Sequence, residues 1–82
     1  MATKKTNELS PIMINIIDTI ISIMETKEIT PRMLSFDTGI DEGNISKILN
    51  KKRGVNVERL YEIMDYLDYE IIFAPKKELE EI

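Results

Sequence analysis

Hydrophobic residues recur at helical spacing near the start of the chain. At about 100° per residue, residues 12–26 divide into one apolar arc of about 200° and a polar remainder. This pattern predicts a helix whose apolar arc is wider than the stripe of about 100° that suffices to face a core. The excess lies at one edge of the arc, at Ile14 and Ile21, and it either covers more of the core or contacts a second subunit. The apolar positions are Ile12, Met13, Ile14, Ile16, Ile17, Ile20, Ile21, Ile23 and Met24.

Local sequence signals mark where this helix begins and where a second helix begins and ends. Ser10 before Pro11, and Thr30 before Pro31, each place a hydroxyl cap ahead of a proline at the first helical position. The second helix is predicted over residues 31–38, with Gly39 at the left-handed position that follows a helix. We expect Leu34, Met33 and Thr38 of this helix to turn inward.

A third helix is predicted over residues 42–50, with Asp41 as its cap. About three residues, including a glycine, separate it from the second helix, which is the spacing of a helix-turn-helix. Ile45, Ile48 and Leu49 are expected to face the core.

The remaining chain predicts a fourth helix and a strand. Asn56 caps a helix over residues 57–67, whose inward face is Val57, Leu60, Ile63, Met64 and Leu67. Residues 69–74, "YEIIFA", are rich in aromatic and β-branched residues and stop at Pro75, which predicts a short strand. A lone strand leaves its backbone groups unpaired, so it pairs either with the same strand of a second copy or with the segment "ATKKT". We favour the dimer, with Tyr69, Ile71, Ile72 and Phe73 at the contact together with Ile14 and Ile21.

Length and composition exclude several classes of protein. The 82 residues fit one domain, which we predict over residues 10–74, after a flexible segment at 1–9 and before a charged tail at 75–82. The chain has no cysteine and no histidine, which excludes disulfides and catalysis by Ser-His-Asp or Cys-His within one chain. The sequence shows no signal peptide and no segment long enough to span a bilayer, so we expect a cytoplasmic protein without membrane contact.

Carboxylates near Gly39 do not form a metal or phosphate site. Counted from Asp37 as the first position of a calcium loop, position six is Glu42 and position twelve is Ile48, where the loop requires glycine and glutamate. No Gly-Lys-Ser/Thr phosphate loop is present. We therefore predict no cofactor, no metal and no enzymatic activity.

Charge is segregated along the chain, although the net charge is −4. Residues 44–53 carry four basic groups and no acidic one, whereas residues 58–82 carry eight acidic groups and three basic ones. The outward positions of the third helix are polar, and asparagine, lysine and glutamate all have groups that bond base edges. A DNA-reading helix and an ordinary solvent-facing helix both fit this pattern.

The segment "ITPRMLSFDTGIDEGNISKILNKKRGVNVERLYEIMDYL" resembles the Cro/CI (XRE-type) helix-turn-helix family without a gap over residues 29–67. The ending "LDYEIIFAPK" is similar to the C-terminal strand of small phage-type regulators and of HipB-like antitoxins, in which such strands pair across a dimer. The positions that carry the main resemblance are Thr30, Leu34, Gly39, Ile40, Ile45, Ser46, Ile48, Asn50, Leu60 and Leu67.

The resemblance implies roles for individual residues. Glu42, Gly43, Asn44 and Lys47 fall where the family reads bases. The positions at or near its phosphate contacts are Thr30, Arg32, Ser46, Asn50, Lys51, Lys52 and Arg53. Three residues depart from the family: Pro31 and Glu42 each replace a common glutamine, and Asp41 replaces the usual serine cap. The two acidic replacements weaken DNA affinity or impose a preference for cytosine, and they also fit a member that has lost DNA binding.

These observations predict an all-α, lambda-repressor-like domain of four or five helices with a short C-terminal strand paired across a homodimer. The predicted function is a transcriptional repressor that binds a pseudo-palindromic double-stranded DNA operator through residues 42–50. The alternative is an antitoxin or protein inhibitor, whose main partner is a toxin or another protein and which also represses its own operon.

Overall fold

The computed structural model describes residues 8–76, which contain four α-helices. They are α1 at Pro11–Lys27, α2 at Pro31–Thr38, α3 at Glu42–Leu49 and α4 at Val57–Tyr66. Helix α2 packs against α3 and α4, and α1 packs against α3. The predicted all-α fold and helix-turn-helix arrangement are confirmed. The first seven residues of the predicted N-terminal segment, and residues 77–82 of the predicted tail, lie outside the described residues.

Each helix begins at the cap that the sequence predicts. The side chains of Ser10 and Thr30 accept the backbone amides of residues 13 and 33, both at 3.1 Å. Asp41 accepts the amide of residue 44 at 3.3 Å, and Asn56 accepts that of residue 59 at 2.7 Å. Each cap satisfies a backbone donor that the first helical turn leaves unpaired, and replacing such a cap by alanine costs about 1 kcal/mol.

All four helices end next to a residue in the left-handed conformation. Gly39 has φ 82° after α2, as predicted. The other three are Glu28 (φ 59°), Lys51 (φ 62°) and Asp68 (φ 71°). After these three residues, the next residue donates a backbone hydrogen bond back across the last turn, as Tyr69 does to the Met64 carbonyl at 2.9 Å. These bonds satisfy carbonyls that the helix leaves open.

One hydrophobic core is shared by all four helices. Its side chains are 0–7% exposed: Ile17, Ile20, Ile23, Met24, Leu34, Ile40, Ile45, Ile48, Val55, Ile63, Met64 and Leu67. Leu49 and Leu60 are half-buried, as is Thr38, in agreement with their predicted inward orientation. No helix within residues 8–76 is long and apolar enough to cross a bilayer.

Two predicted core positions, Met33 and Val57, are wrong, and Ile12 of the apolar arc of α1 is also exposed. Ile12 is 72% exposed, Val57 66% and Met33 43%. Ile12 and Val57 lie in the first turns of α1 and α4, where no other helix within residues 8–76 covers them. Met33 lies beyond the edge of the α2 face that Leu34 occupies. Helical periodicity identifies an apolar side of a helix, but it does not show how much of that side another element covers.

The predicted strand is not confirmed. Residues 69–75 have no regular secondary structure, and no strand is present in the part of the chain that the structure describes. Ile71 packs against the core, whereas Tyr69, Ile72 and Phe73 are 47%, 76% and 90% exposed. A β-ladder at this segment requires a partner strand, and residues 8–76 of one chain supply none.

Candidate nucleic-acid interface

The turn between α2 and α3 is fixed by side-chain hydroxyls. Ser35 Oγ donates to the Ile40 carbonyl at 2.6 Å, and Thr38 Oγ1 donates to the Leu34 carbonyl at 2.6 Å while accepting the Ile40 amide at 3.2 Å. Ile40 is buried within the turn at 2% exposure. The backbone groups of Ile40 are therefore hydrogen-bonded although its side chain is buried in the core. Together these contacts fix the angle between α2 and α3.

Helix α3 buries one side and presents the other to solvent. Ile45 and Ile48 are 1% and 5% exposed and anchor the helix in the core. Five of the predicted site residues on or next to this helix are exposed: Glu42, Gly43, Ser46, Lys47 and Asn50. At about 100° per residue, Gly43, Lys47 and Asn50 lie nearest the centre of the exposed side. Helix α3 therefore has the polar outer surface that the sequence predicts.

Asn44 is half-buried at the edge of this surface, beside the loop that leads to α4. Arg53 Nη1 donates to Asn44 Oδ1 at 2.8 Å, so a predicted base reader and a predicted phosphate contact are in direct contact. Asn44, Arg53, Asn56 and Arg59 line a shallow concavity of about 80 Å³ between α3 and the start of α4. Sequence reasoning missed this pairing, since the two residues are nine positions apart and share no helix.

The predicted phosphate contacts other than the basic residues after α3 fall into two groups, one at the end of α3 and one at the start of α2. Asn50 Nδ2 donates to the Ser46 carbonyl at 2.9 Å and to Ser46 Oγ at 3.3 Å. At the start of α2, Arg32 is exposed. Thr30 uses its hydroxyl oxygen as a cap acceptor, which leaves the hydroxyl hydrogen able to donate to another group.

The three basic residues after α3 have different surroundings. Lys51 Nζ lies 2.7 Å from Asp18 Oδ1 of α1, so this cation is drawn toward α1. Lys52 and Arg53 are exposed. Lys51 also has positive φ and is the second residue after the end of α3. Asp18 is a residue that sequence reasoning did not associate with the site, because the contact depends on how α1 packs against α3.

The acidic replacements at the start of α3 have distinct positions. Asp41 is the cap of α3, as the sequence predicts. Glu42 is exposed in the first turn, where a negative charge interacts favourably with the helix dipole. Both carboxylates therefore stabilise α3 itself, whatever they contribute to recognition.

A protein-family model described as the Cro/C1-type HTH DNA-binding domain matches residues 19–71. The chain belongs to this family. The match contains all of α2, α3 and α4 together with the second half of α1, and so includes every predicted base-reading and phosphate-contacting residue. No curated protein and no solved structure matches the chain. The Cro/C1-type domain is a DNA-binding domain, which agrees with the exposed polar side of α3.

Proposed function

We propose that this Cro/C1-type protein is a sequence-specific transcriptional regulator that acts as a repressor. The observation that carries the proposal is the geometry of α3, which is anchored in the core on one side and exposes polar side chains on the other. A helix of this kind enters the major groove in helix-turn-helix proteins and contacts base edges from its N-terminal part. Bound at a promoter, the protein would occlude the polymerase.

The base-reading set that we propose is Glu42, Gly43, Asn44 and Lys47. Gly43 and Lys47 lie near the centre of the exposed side of α3, and both Glu42 and Lys47 are exposed. Lysine donates to guanine, and glutamate accepts from the cytosine amino group. We assign phosphate contacts to the exposed basic residues Lys52 and Arg53, and Thr30, Arg32, Ser46 and Asn50 complete the proposed set. Lys51 would have to leave Asp18 to join them.

DNA retardation tests this proposal with the gene's own upstream region as the labelled fragment. Wild-type protein is expected to retard the fragment, and the double substitution Asn44→Ala and Lys47→Ala to abolish retardation while the circular dichroism spectrum is kept. Ser22→Ala with Lys27→Ala is the matched control, because it removes one hydroxyl and one lysine from exposed positions of α1. Binding should also weaken steeply as salt is added, since phosphate contacts release counterions. Absence of binding to upstream DNA at low salt would contradict the proposal.

We further propose a homodimer in which the segment 69–74 pairs with its copy across a two-fold axis. The support is the exposure of Tyr69, Ile72 and Phe73 next to an open groove of about 390 Å³ between α1, α4 and this segment. Ile14 and Ile21, the other proposed contacts, are half-buried on α1. A two-fold dimer would present two copies of α3 to half-sites about 34 Å apart, one turn of DNA.

Light scattering tests the dimer, with two phenylalanines as a matched pair. Phe73 is 90% exposed in the C-terminal segment, and Phe36 is 86% exposed on α2. Phe73→Ser is expected to shift the mass toward that of the monomer at micromolar concentration, whereas Phe36→Ser leaves the dimer intact. A monomer mass for the wild-type protein would exclude strand pairing.

A second candidate function is an antitoxin or protein inhibitor, and the surface of α4 favours it. Glu58, Glu62 and Asp65 are exposed on this helix, with Tyr61 beside them at 45% exposure. An acidic surface with an aromatic side chain suits a basic protein partner. A toxin gene next to this one, or a partner that co-purifies and is lost on Glu62→Lys substitution, would support this function. Both functions can hold in one protein.

A further inference from the structure

The hydrogen bond between Asn44 and Arg53 fixes the orientation of the asparagine amide. Arg53 Nη1 lies 2.8 Å from Asn44 Oδ1. A guanidinium group only donates hydrogen bonds, so the amide atom that faces it must be the oxygen. The NH₂ group is consequently turned away from Arg53. Asn44 therefore keeps its acceptor against a positive charge and has its two N–H donors on the side away from Arg53.

This orientation changes what Asn44 can read. An asparagine side chain that makes no other hydrogen bond contacts adenine through both ends of its amide. The oxygen accepts from the adenine N6 amino group, and the NH₂ group donates to N7. Here the amino group of adenine would have to share the amide oxygen with Arg53 and approach a cation. Guanine offers two acceptors, O6 and N7, and meets no such conflict. On the basis of the DNA-binding function proposed above, we infer that Arg53 is a specificity-determining positioning residue that makes Asn44 a donor-only reader of guanine.

The surroundings keep the pair intact. Arg53 and Asn44 line the concavity between α3 and the start of α4, and its described lining contains no carboxylate. Among residues 8–76, the ion pairs engage Lys51 with Asp18 and Arg59 with Glu62. Arg53 is hydrogen-bonded to an amide instead, and neither of these ion pairs includes it. A guanidinium has five N–H donors, so Arg53 has donors besides the one that bonds Asn44.

Selection of bound sequences from a random pool of duplex DNA tests this inference. The wild-type protein is expected to select guanine over adenine at one half-site position by about tenfold, the size of a good bidentate contact. Asn44→Ala should abolish the preference at that position. Arg53→Met should shift the same position toward adenine, because it removes the donor and frees the amide oxygen. A purely structural role for Arg53 would not change which base is selected.

Lys52→Met is the matched control, since it removes a neighbouring exposed cation of the same loop and leaves the Asn44 pair in place. It is expected to weaken binding to all sequences without changing the selected motif. Selection of adenine by the wild-type protein at the Asn44 position would overturn the inference, as would effects of Asn44→Ala and Arg53→Met at different positions. In either case the protein still selects a motif, so the proposed DNA-binding function stands. Failure of the wild-type protein to enrich any sequence would overturn both.

Discussion

Gly43 lies beside the carboxylate that caps α3, the helix with the proposed recognition surface. A Cβ atom at this position would lie 2.9 Å from Asp41 Oδ2, which is closer than such contacts normally come. The same carboxylate oxygen accepts the Asn44 amide at 3.3 Å. Glycine therefore leaves room for the cap of α3. The family resemblance places Gly43 among the base-reading positions, and the contact with Asp41 adds a reason for glycine that is internal to the protein.

If Gly43 leaves room for the Asp41 cap, the effect of Gly43→Ala on stability should depend on whether the Asp41 side chain is present. Alanine is favoured over glycine within a helix by about 1 kcal/mol. In an Asp41→Ala background, Gly43→Ala should raise the free energy of unfolding by about this amount. In the wild-type background the gain should be smaller, because the new methyl group displaces the cap carboxylate. Urea unfolding of the four proteins measures both effects, and equal gains in the two backgrounds would show that the contact is irrelevant.

At the scale of elements, α2 and α4 are joined by a hydrogen bond at the surface. Tyr66 Oη donates to Asp37 Oδ2 at 2.6 Å across 29 positions of sequence. The hydrogen bond to Asp37 raises the pKa of Tyr66 above its ordinary value of about 10, with desolvation and the Asp37 charge adding to the effect. Ionising the phenol removes the donor and places two negative charges side by side. The contact therefore depends on a protonated Tyr66.

The expected consequence is a loss of stability at alkaline pH. Because the pKa of Tyr66 is higher in the folded protein than in the unfolded chain, its contribution is complete below pH 10 and is lost as pH rises through the folded-state value. Thermal unfolding between pH 8 and pH 11 should therefore show a steeper decline for the wild-type protein than for Tyr66→Phe. Tyr61→Phe is the control, as Tyr61 is also on α4 but does not contact Asp37. Parallel curves for the wild-type and Tyr66→Phe proteins would refute the role of the hydrogen bond.

At the scale of the whole molecule, the position of α3 depends on the shared core. A domain of this size has a total stability of about 5–15 kcal/mol, so the loss of one well-packed side chain is a large fraction of it. Ile17 is fully buried on α1, whereas Ile12 on the same helix is 72% exposed. Because both residues are isoleucines on α1, the same substitution at the two positions separates the effect of core packing from that of helix propensity.

Ile17→Ala should lower the free energy of unfolding by about 2–5 kcal/mol, because it leaves a cavity in the core. Ile12→Ala should change it by less than about 0.5 kcal/mol, the range for exposed positions. Chemical denaturation followed by circular dichroism measures both. Similar losses for the two variants would mean that Ile12 is covered in solution, for example by a second copy of the chain.

The helix caps were predictable from the sequence, whereas the side-chain contacts between different helices and loops were not. Ser10, Thr30, Asp41 and Asn56 cap the helices as predicted, because a cap acts within three residues of itself. The Asn44–Arg53, Lys51–Asp18 and Tyr66–Asp37 contacts depend on packing that no helical period encodes. The exposure of Ile12, Met33 and Val57 was missed for the same reason. Pairing of residues 69–74 stays a prediction, since it requires a second chain.

The central claim is that α3 meets DNA with its exposed polar side. The most direct test is to record the backbone amide NMR spectrum of the labelled protein while a duplex selected from the random pool is added. We expect the largest shift changes on residues 42–47, on Thr30 and Arg32 at the start of α2, and on residues 50–53. Changes concentrated on Glu58, Glu62 and Asp65 of α4, with α3 unaffected, would contradict it.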